Sequence, residues 1–228
     1  MRLEVLPVPS WAGAVAAALE DCLNSACRRL CLATGSTPLP VYGILRPFAL
    51  EAATVFLLDE FGGLPRGDPA RCEVMLRSAL LGRVPPRGFH FPDVDAADLA
   101  TECVRYGQLI ARGGLDLAVL GLGLNGHLGL NEPGSTADQP TRVVELTQAT
   151  RDGARRYGAA PPPTWGIAVG LAEIVAAREV WLLVTGTAKA KVLAQAMEEP
   201  VGAHLPASFL RTHPNAVIWA DEEAASLL

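Results

Sequence analysis

Short, unbroken apolar runs alternate along this chain with longer stretches in which apolar and polar positions keep a helical rhythm. LCLATG, TVFLLDE, LDLAVLGLG, GIAVGL, VWLLVTG and AVIWA are the apolar runs, and each reads as a strand. Between them, SWAGAVAAALEDCLNSACRRL predicts a helix capped by Ser10. A second helix begins at Pro38, where the missing N–H costs nothing. RCEVMLRSALLG, the acid-started DAADLATECVRYGQLIARGG and AKAKVLAQAM predict three more. Strands apolar on both faces and separated by helices imply an α/β fold: a mainly parallel, open, Rossmann-like sheet sandwiched by helices on both faces. No repeat or linker divides the pattern, so residues 1–228 read as one domain. The proline run in GAAPPPTWG reads as a loop or lid flank, and the polar, arginine-bearing segment 136–163 as a candidate lid.

Ligands of such sheets bind at the carboxyl ends of the strands. Four predicted strands end in loops of chemical interest: ATGSTP at 33–38, LDEFGGLP at 58–65, GLGLNGHLGLNEPGS at 121–135 and VTGTAK at 184–189.

Composition narrows the class. Half the residues are hydrophobic and 19% are charged, enough apolar material for a sizeable core. A net charge of −5 argues against a nucleic-acid surface. The five cysteines form no C-x-x-C pair and no zinc-ligand spacing with histidine, which reads as reduced intracellular thiols without a metal. Neither a leader in MRLEVLPVPSW nor an apolar stretch of the ~18 residues a membrane span needs is visible. The expectation is a cytoplasmic globular protein with no nucleic-acid or membrane partner, its homo-oligomer state left open.

The four loops carry the candidate chemistry. In Thr34-Gly35-Ser36-Thr37, a glycine, three hydroxyls and a following helix N-terminus suit an anion, although an ordinary capped turn uses the same residues. Lys189 would supply charge to such a site or stand in solvent. Of the adjacent acids Asp59 and Glu60, Asp59 is nearer the strand end and is the better candidate base; the other would cap the next turn or face water. His127 lies among glycines that clear space for a ligand, with Asn125 two residues before it and Glu132 five after, and can pass protons if a carboxylate orients it. Histidines at single positions are more often structural. No Walker loop or G-x-S-x-G elbow is present, and the G-x-G at 121–123 lacks the rest of a dinucleotide fingerprint, so no cofactor is indicated.

LATGSTPLPVY, LLDEFGGLP, GLGLNGHLGLNEPG, VTGTAKA and PASFLRTHPN, in that order and over roughly residues 30 to 220, resemble the hexosamine-6-phosphate deaminase/isomerase family. The resemblance implies a cofactor-free conversion of glucosamine 6-phosphate to fructose 6-phosphate and ammonia. By it, His127 opens the pyranose ring with Glu132 and Asn125 beside it. Asp59 moves a proton from C2 to C1 through an enolamine. The phosphate falls on Thr34, Gly35, Ser36, Thr37 and Lys189. Counting forward from Glu132 adds Arg156, with Arg151 and Arg155 as neighbours that could serve instead.

Some positions depart from the family pattern. Asn125 stands where the best-known enzyme has aspartate, and can hydrogen-bond but brings no charge. Phe61 replaces the usual tyrosine. Val144 replaces the basic residue of allosteric members and the C-terminal tail is shorter, which implies no activation by N-acetylglucosamine 6-phosphate. Galactosamine-6-phosphate deaminase/isomerase is the alternative within the family, supported by HLPASFL and Cys72-Glu73. A 6-phosphogluconolactonase is the alternative outside it, disfavoured by Phe61 and by Asn131-Glu132-Pro133. A silent sugar-phosphate sensor would need a helix-turn-helix extension or a lost acid, and neither is visible.

Overall fold

Residues alternate sides along each strand, and here both sides are apolar. The computed structural model, which describes all residues except Ala26 and Phe48, uses that property in a seven-stranded sheet. In chain order the elements are β1 (Arg2–Leu6), α1 (Val8–Ser25), β2 (Arg29–Leu32), α2 (Pro38–Gly43), β3 (Thr54–Leu57), β4 (Asp59–Phe61), α3 (Cys72–Leu76), β5 (Gly88–His90) and α4 (Leu99–Ala111). There follow β6 (Leu117–Gly121), β7 (Arg142–Glu145), α5 (Gln148–Arg155), β8 (Trp165–Ala168), α6 (Leu171–Val175), β9 (Glu179–Val184), α7 (Ala190–Glu198) and β10 (Ala216–Asp221).

The large sheet runs β1-β10-β9-β6-β2-β3-β5 and every pair in it is parallel. Leu30, Leu32, Val55, Leu57, Leu117 and Val119 face one side, where Trp11, Val15 and Leu19 of α1 and Val41 and Tyr42 of α2 cover them. Cys31, Phe56, Ala118, Leu120 and Leu182 face the other, under Tyr106 and Ile110 of α4, Ile174 of α6 and Leu193 of α7. The open, mainly parallel sheet with helices on both faces is the architecture the sequence predicts. Among the described residues no helix is long and apolar enough to cross a membrane.

Two features differ from expectation. Ser10 is not a cap: the helix already begins at Val8, and the Ser10 hydroxyl donates back to the Pro7 carbonyl at 3.2 Å. TVFLLDE is not one strand. β3 stops at Leu57, and β4 leaves the large sheet to pair antiparallel with β8, which in turn pairs with β7. Leu58 is the joint: its N–H donates to Leu32 in β2, and its carbonyl accepts from Val169 beyond β8.

The order of strands reverses direction between β2 and β6, so the loops that follow these neighbours open a crevice at the sheet's carboxyl edge. The small sheet closes one side of it, and its packing leaves no room at Gly166. A Cβ there would stand 2.6 Å from the Glu60 carbonyl and from Leu130. Gly166→Ala is therefore expected to lower the unfolding free energy by about 1–3 kcal/mol, as overpacking does. A denaturant midpoint equal to that of the wild type would contradict this.

Candidate active site

The β3–β4 joint places the Asp59 carboxyl at the carboxyl edge of the large sheet. It is 6% exposed and lies against Gly129, where a Cβ would come within 2.7 Å of Asp59 Oδ2. Burial pushes the Asp59 carboxyl up to about 6, opposed by a hydrogen bond from the Cys72 thiol, by neighbouring His127 and by the Leu130 backbone. Glu60 points away from Asp59 and does not face water. Its carboxylate accepts from the N–H groups of Phe61, Cys72 and Glu73 at 2.8–2.9 Å, receiving the start of α3. Burial raises it to about 7 against those bonds.

His127 stands on the loop after β6, its ring lying over Gly123: a Cβ at Gly123 would meet the imidazole at 2.3 Å. Its Nδ1 is 3.3 Å from Glu132 Oε2 and 3.1 Å from the Thr150 hydroxyl. An ionised carboxylate only accepts, so the proton on this nitrogen belongs between His127 and Glu132 and leaves the Nε2 lone pair free. Glu132 also accepts from Asn125 Nδ2 at 2.8 Å, from the Thr147 N–H at 3.2 Å and from the Thr147 hydroxyl at 3.1 Å. Burial alone would raise Glu132; the bonds from His127, Thr150 and Asn125 outweigh it and hold the carboxyl down at about 2. Asn125 is thus a donor to Glu132, and its Oδ1 accepts the His127 N–H at 3.3 Å.

The third cluster is cationic. Lys189 Nζ donates to the Leu122 carbonyl at 2.6 Å, bringing the loop after β9 to the loop after β6. Burial lowers Lys189 to about 8, and the charge of Arg156 adds to the effect. Arg155 turns outward to Asp152 at 3.3 Å, and Arg151 keeps a buried Nε without a partner. In the loop after β2, Gly35 has a φ of +107°, the Ser36 N–H donates to the Tyr157 hydroxyl at 3.1 Å, and the Thr37 and Thr185 hydroxyls are 3.3 Å apart.

The structure therefore brings Asp59, His127, Glu132 and Asn125 into one crevice, and the charge of Arg156 is felt at Lys189. Sequence reasoning missed Thr147, Thr150, Tyr157 and the contact of Cys72 with Asp59. Thr147 and Thr150 carry a signal in T-x-x-T, a helix-capping pattern: the Thr147 side chain accepts the Thr150 N–H at the start of α5. Among the described residues no group of His, Cys, Asp and Glu could hold a metal ion.

An open parallel sheet with a buried acid and a carboxylate-held histidine at its switch-point crevice defines an α/β protein with side chains suited to proton transfer. The chain belongs to the family described as glucosamine-6-phosphate isomerases/6-phosphogluconolactonase, whose profile matches residues 8–219. It is similar to the glucosamine-6-phosphate deaminase of Beutenbergia cavernae, at 39% identity over 99% of this chain and 93% of that one. A solved monomeric glucosamine-6-phosphate deaminase superposes with a TM-score of 0.94, at 30% identity and 100% coverage of both chains. The 6-phosphogluconolactonase of Trypanosoma cruzi shares the fold, with a TM-score of 0.81 at 22% identity over 100% of this chain and 96% of that one.

The directions of these shifts fix how pH acts on stability. Asp59 is raised above its ordinary 3.8, so its contribution is full below that value and is lost as pH rises through about 6. Glu132 is depressed, so its contribution is present above its ordinary 4.5 and is lost as pH falls towards 2. Asp59→Asn removes a buried charge and is expected to raise the melting temperature at pH 7.5, with the advantage gone by pH 4. Melting curves in which the variant is no more stable at pH 7.5 would show that the carboxylate is not strained by burial.

Proposed function

We propose that this chain converts glucosamine 6-phosphate and water to fructose 6-phosphate and ammonia. The observation that carries the reading is the pairing of two differently tuned carboxylates across one crevice: Asp59, raised by burial to about 6, and Glu132, held at about 2 against His127. His127 takes the proton of the C1 hydroxyl on Nε2 and returns it to the ring oxygen as the C1–O bond breaks. Glu132 and Thr150 fix the imidazole through Nδ1. Asp59, ionised near neutral pH, then takes the C2 proton from the open-chain amino aldehyde while O1 takes a proton from the C2 ammonium, and gives its proton to C1 of the enolamine so formed. The resulting imine at C2 adds water and expels ammonia, which leaves the ketose.

The 6-phosphate is read by the N–H groups and hydroxyls of Thr34–Thr37 with Lys189 and Arg156. Arg156 is favoured over Arg151 and Arg155 because its charge is the one felt at Lys189. The reaction needs no redox step.

Product analysis tests the reading directly. Incubation with glucosamine 6-phosphate is expected to release ammonium and a ketose phosphate in equal amounts. Galactosamine 6-phosphate and 6-phosphogluconolactone are the comparison substrates. Ammonium from neither amino sugar would overturn the proposal, and faster turnover of galactosamine 6-phosphate would reassign the substrate. Asp59→Asn is expected to lower kcat by roughly 10²–10⁴-fold, the usual worth of a positioned base; retained turnover would move the C2 proton transfer to another group.

The profile of kcat/KM against pH reports the free enzyme. It is expected to rise through about 6 as Asp59 ionises and to fall above about 8 as Lys189 loses its charge. Lys189→Met should raise KM and remove the alkaline limb. A limb that persists unchanged in that variant would assign it elsewhere.

A further inference from the structure

The Thr34–Thr37 loop is offered above as the phosphate site, and the following inference rests on that reading. One of its backbone donors is already engaged. The Ser36 N–H points at the Tyr157 hydroxyl at 3.1 Å, and the phenol oxygen enters through the gap left by the missing side chain of Gly35: a Cβ there would stand 3.1 Å from it. Lys189 differs: one of its three N–H donors goes to the Leu122 carbonyl, and the other two remain for an anion. The Ser36 N–H is therefore a donor suited to an oxyanion that an oxygen of the protein itself already holds.

A backbone N–H has one hydrogen and makes one good bond. A phosphate oxygen reaching Ser36 must take the place of the phenol oxygen, and a charged acceptor makes the stronger bond of the two. We propose that the Tyr157 hydroxyl stands in for a phosphate oxygen at Ser36 in the ligand-free protein and sets the affinity for the 6-phosphate by competing with it. Tyr157 is a specificity-determining residue in this sense. A sugar with no phosphate carries only neutral hydroxyls, which are no better acceptors than the phenol they would have to displace. Only an anion gains by the exchange.

The geometry of α5 fits this role. Tyr157 follows Arg156 directly, so the residue that surrenders Ser36 and the residue that offers charge to the phosphate share one short stretch of backbone. The Tyr157 ring packs against the core cluster that covers one face of the sheet, so a phenylalanine keeps the packing and loses only the hydroxyl.

Tyr157→Phe tests the proposal, with inorganic phosphate as a competitive inhibitor and glucosamine 6-phosphate as substrate. Removing one internal hydrogen bond of this kind should lower the phosphate Ki and the substrate KM by roughly three- to tenfold. A Ki that is unchanged or higher in the variant would overturn it, the higher value meaning that the hydroxyl binds phosphate directly.

A second measurement does not depend on the variant's folding. The chain has three tyrosines, and the hydroxyls of the other two, Tyr42 and Tyr106, are buried on the Ala33 and Leu57 carbonyls. In protein labelled with fluorotyrosine, phosphate should shift the fluorine resonance of Tyr157 and leave the other two in place. A Tyr157 resonance that stays fixed at saturating phosphate would equally overturn the displacement. If phosphate does not compete with substrate in the wild type, and Lys189→Met leaves KM unchanged, the phosphate-site reading itself fails.

Discussion

Leu58 has its N–H in one sheet and its carbonyl in the other, and the crevice is built around that division. Its N–H continues the parallel ladder to Leu32, while its carbonyl accepts from Val169 at the end of the small antiparallel sheet. A strand that continued straight would have carried Asp59 onward along the parallel ladder. By crossing between sheets at Leu58, the chain delivers the acid to the carboxyl edge, beside the loops that follow β2 and β6. The cost is a carboxylate with little water around it. Close approach enforces that burial, because Gly129 leaves no space between the loop and the carboxyl group.

The two site carboxylates differ because their surroundings solvate them differently. Glu132 is also buried, yet it collects hydrogen bonds from Asn125, Thr147 and His127, so its charge is stabilised by protein groups in place of water. Asp59 has fewer such partners, and desolvation dominates. One acid therefore stays ionised and orients the imidazole, and the other can both take and return a proton near neutral pH. Asn125 supports this division without charge. With Glu132 already ionised beside the ring, a second carboxylate at position 125 would face it as a like charge; an amide donates to it instead.

Much of this was legible in the apolar runs. Six strands of the large and small sheets follow from LCLATG, TVFLLDE, LDLAVLGLG, GIAVGL, VWLLVTG and AVIWA, because burial on both faces demands unbroken hydrophobicity. The elements that escaped notice are those whose composition does not reflect burial. β1 is an edge strand with polar positions, β5 and β4 have three residues each, and β7, RVVE, exposes alternate residues. α5 reads QATRDGAR and carries little apolar surface, yet Thr147 and Thr150 at its start touch the His127–Glu132 pair and Arg156 and Tyr157 follow its end. Asp59, His127 and Glu132 could be named because acids and imidazoles at strand ends are conspicuous. Hydroxyl groups that hold them are not, since threonine and tyrosine are common in every other setting.

Asn131-Glu132-Pro133 shows how a sequence motif becomes a mechanical part. Asn131 is fully buried; its amide N–H groups donate to the Leu128 and Val169 carbonyls at 3.0 and 2.9 Å, and its oxygen accepts from Arg142 at 2.8 Å. It therefore ties the His127 loop to the strand-end residue that also bonds Leu58, and to β7 of the small sheet. Glu132, the next residue, inherits a fixed position relative to both His127 and Asp59. A loop held this way at its base can carry a glycine-rich tip without losing the alignment of its acid. The glycines then serve close approach, Gly123 under the imidazole and Gly129 against Asp59, while rigidity comes from the buried asparagine.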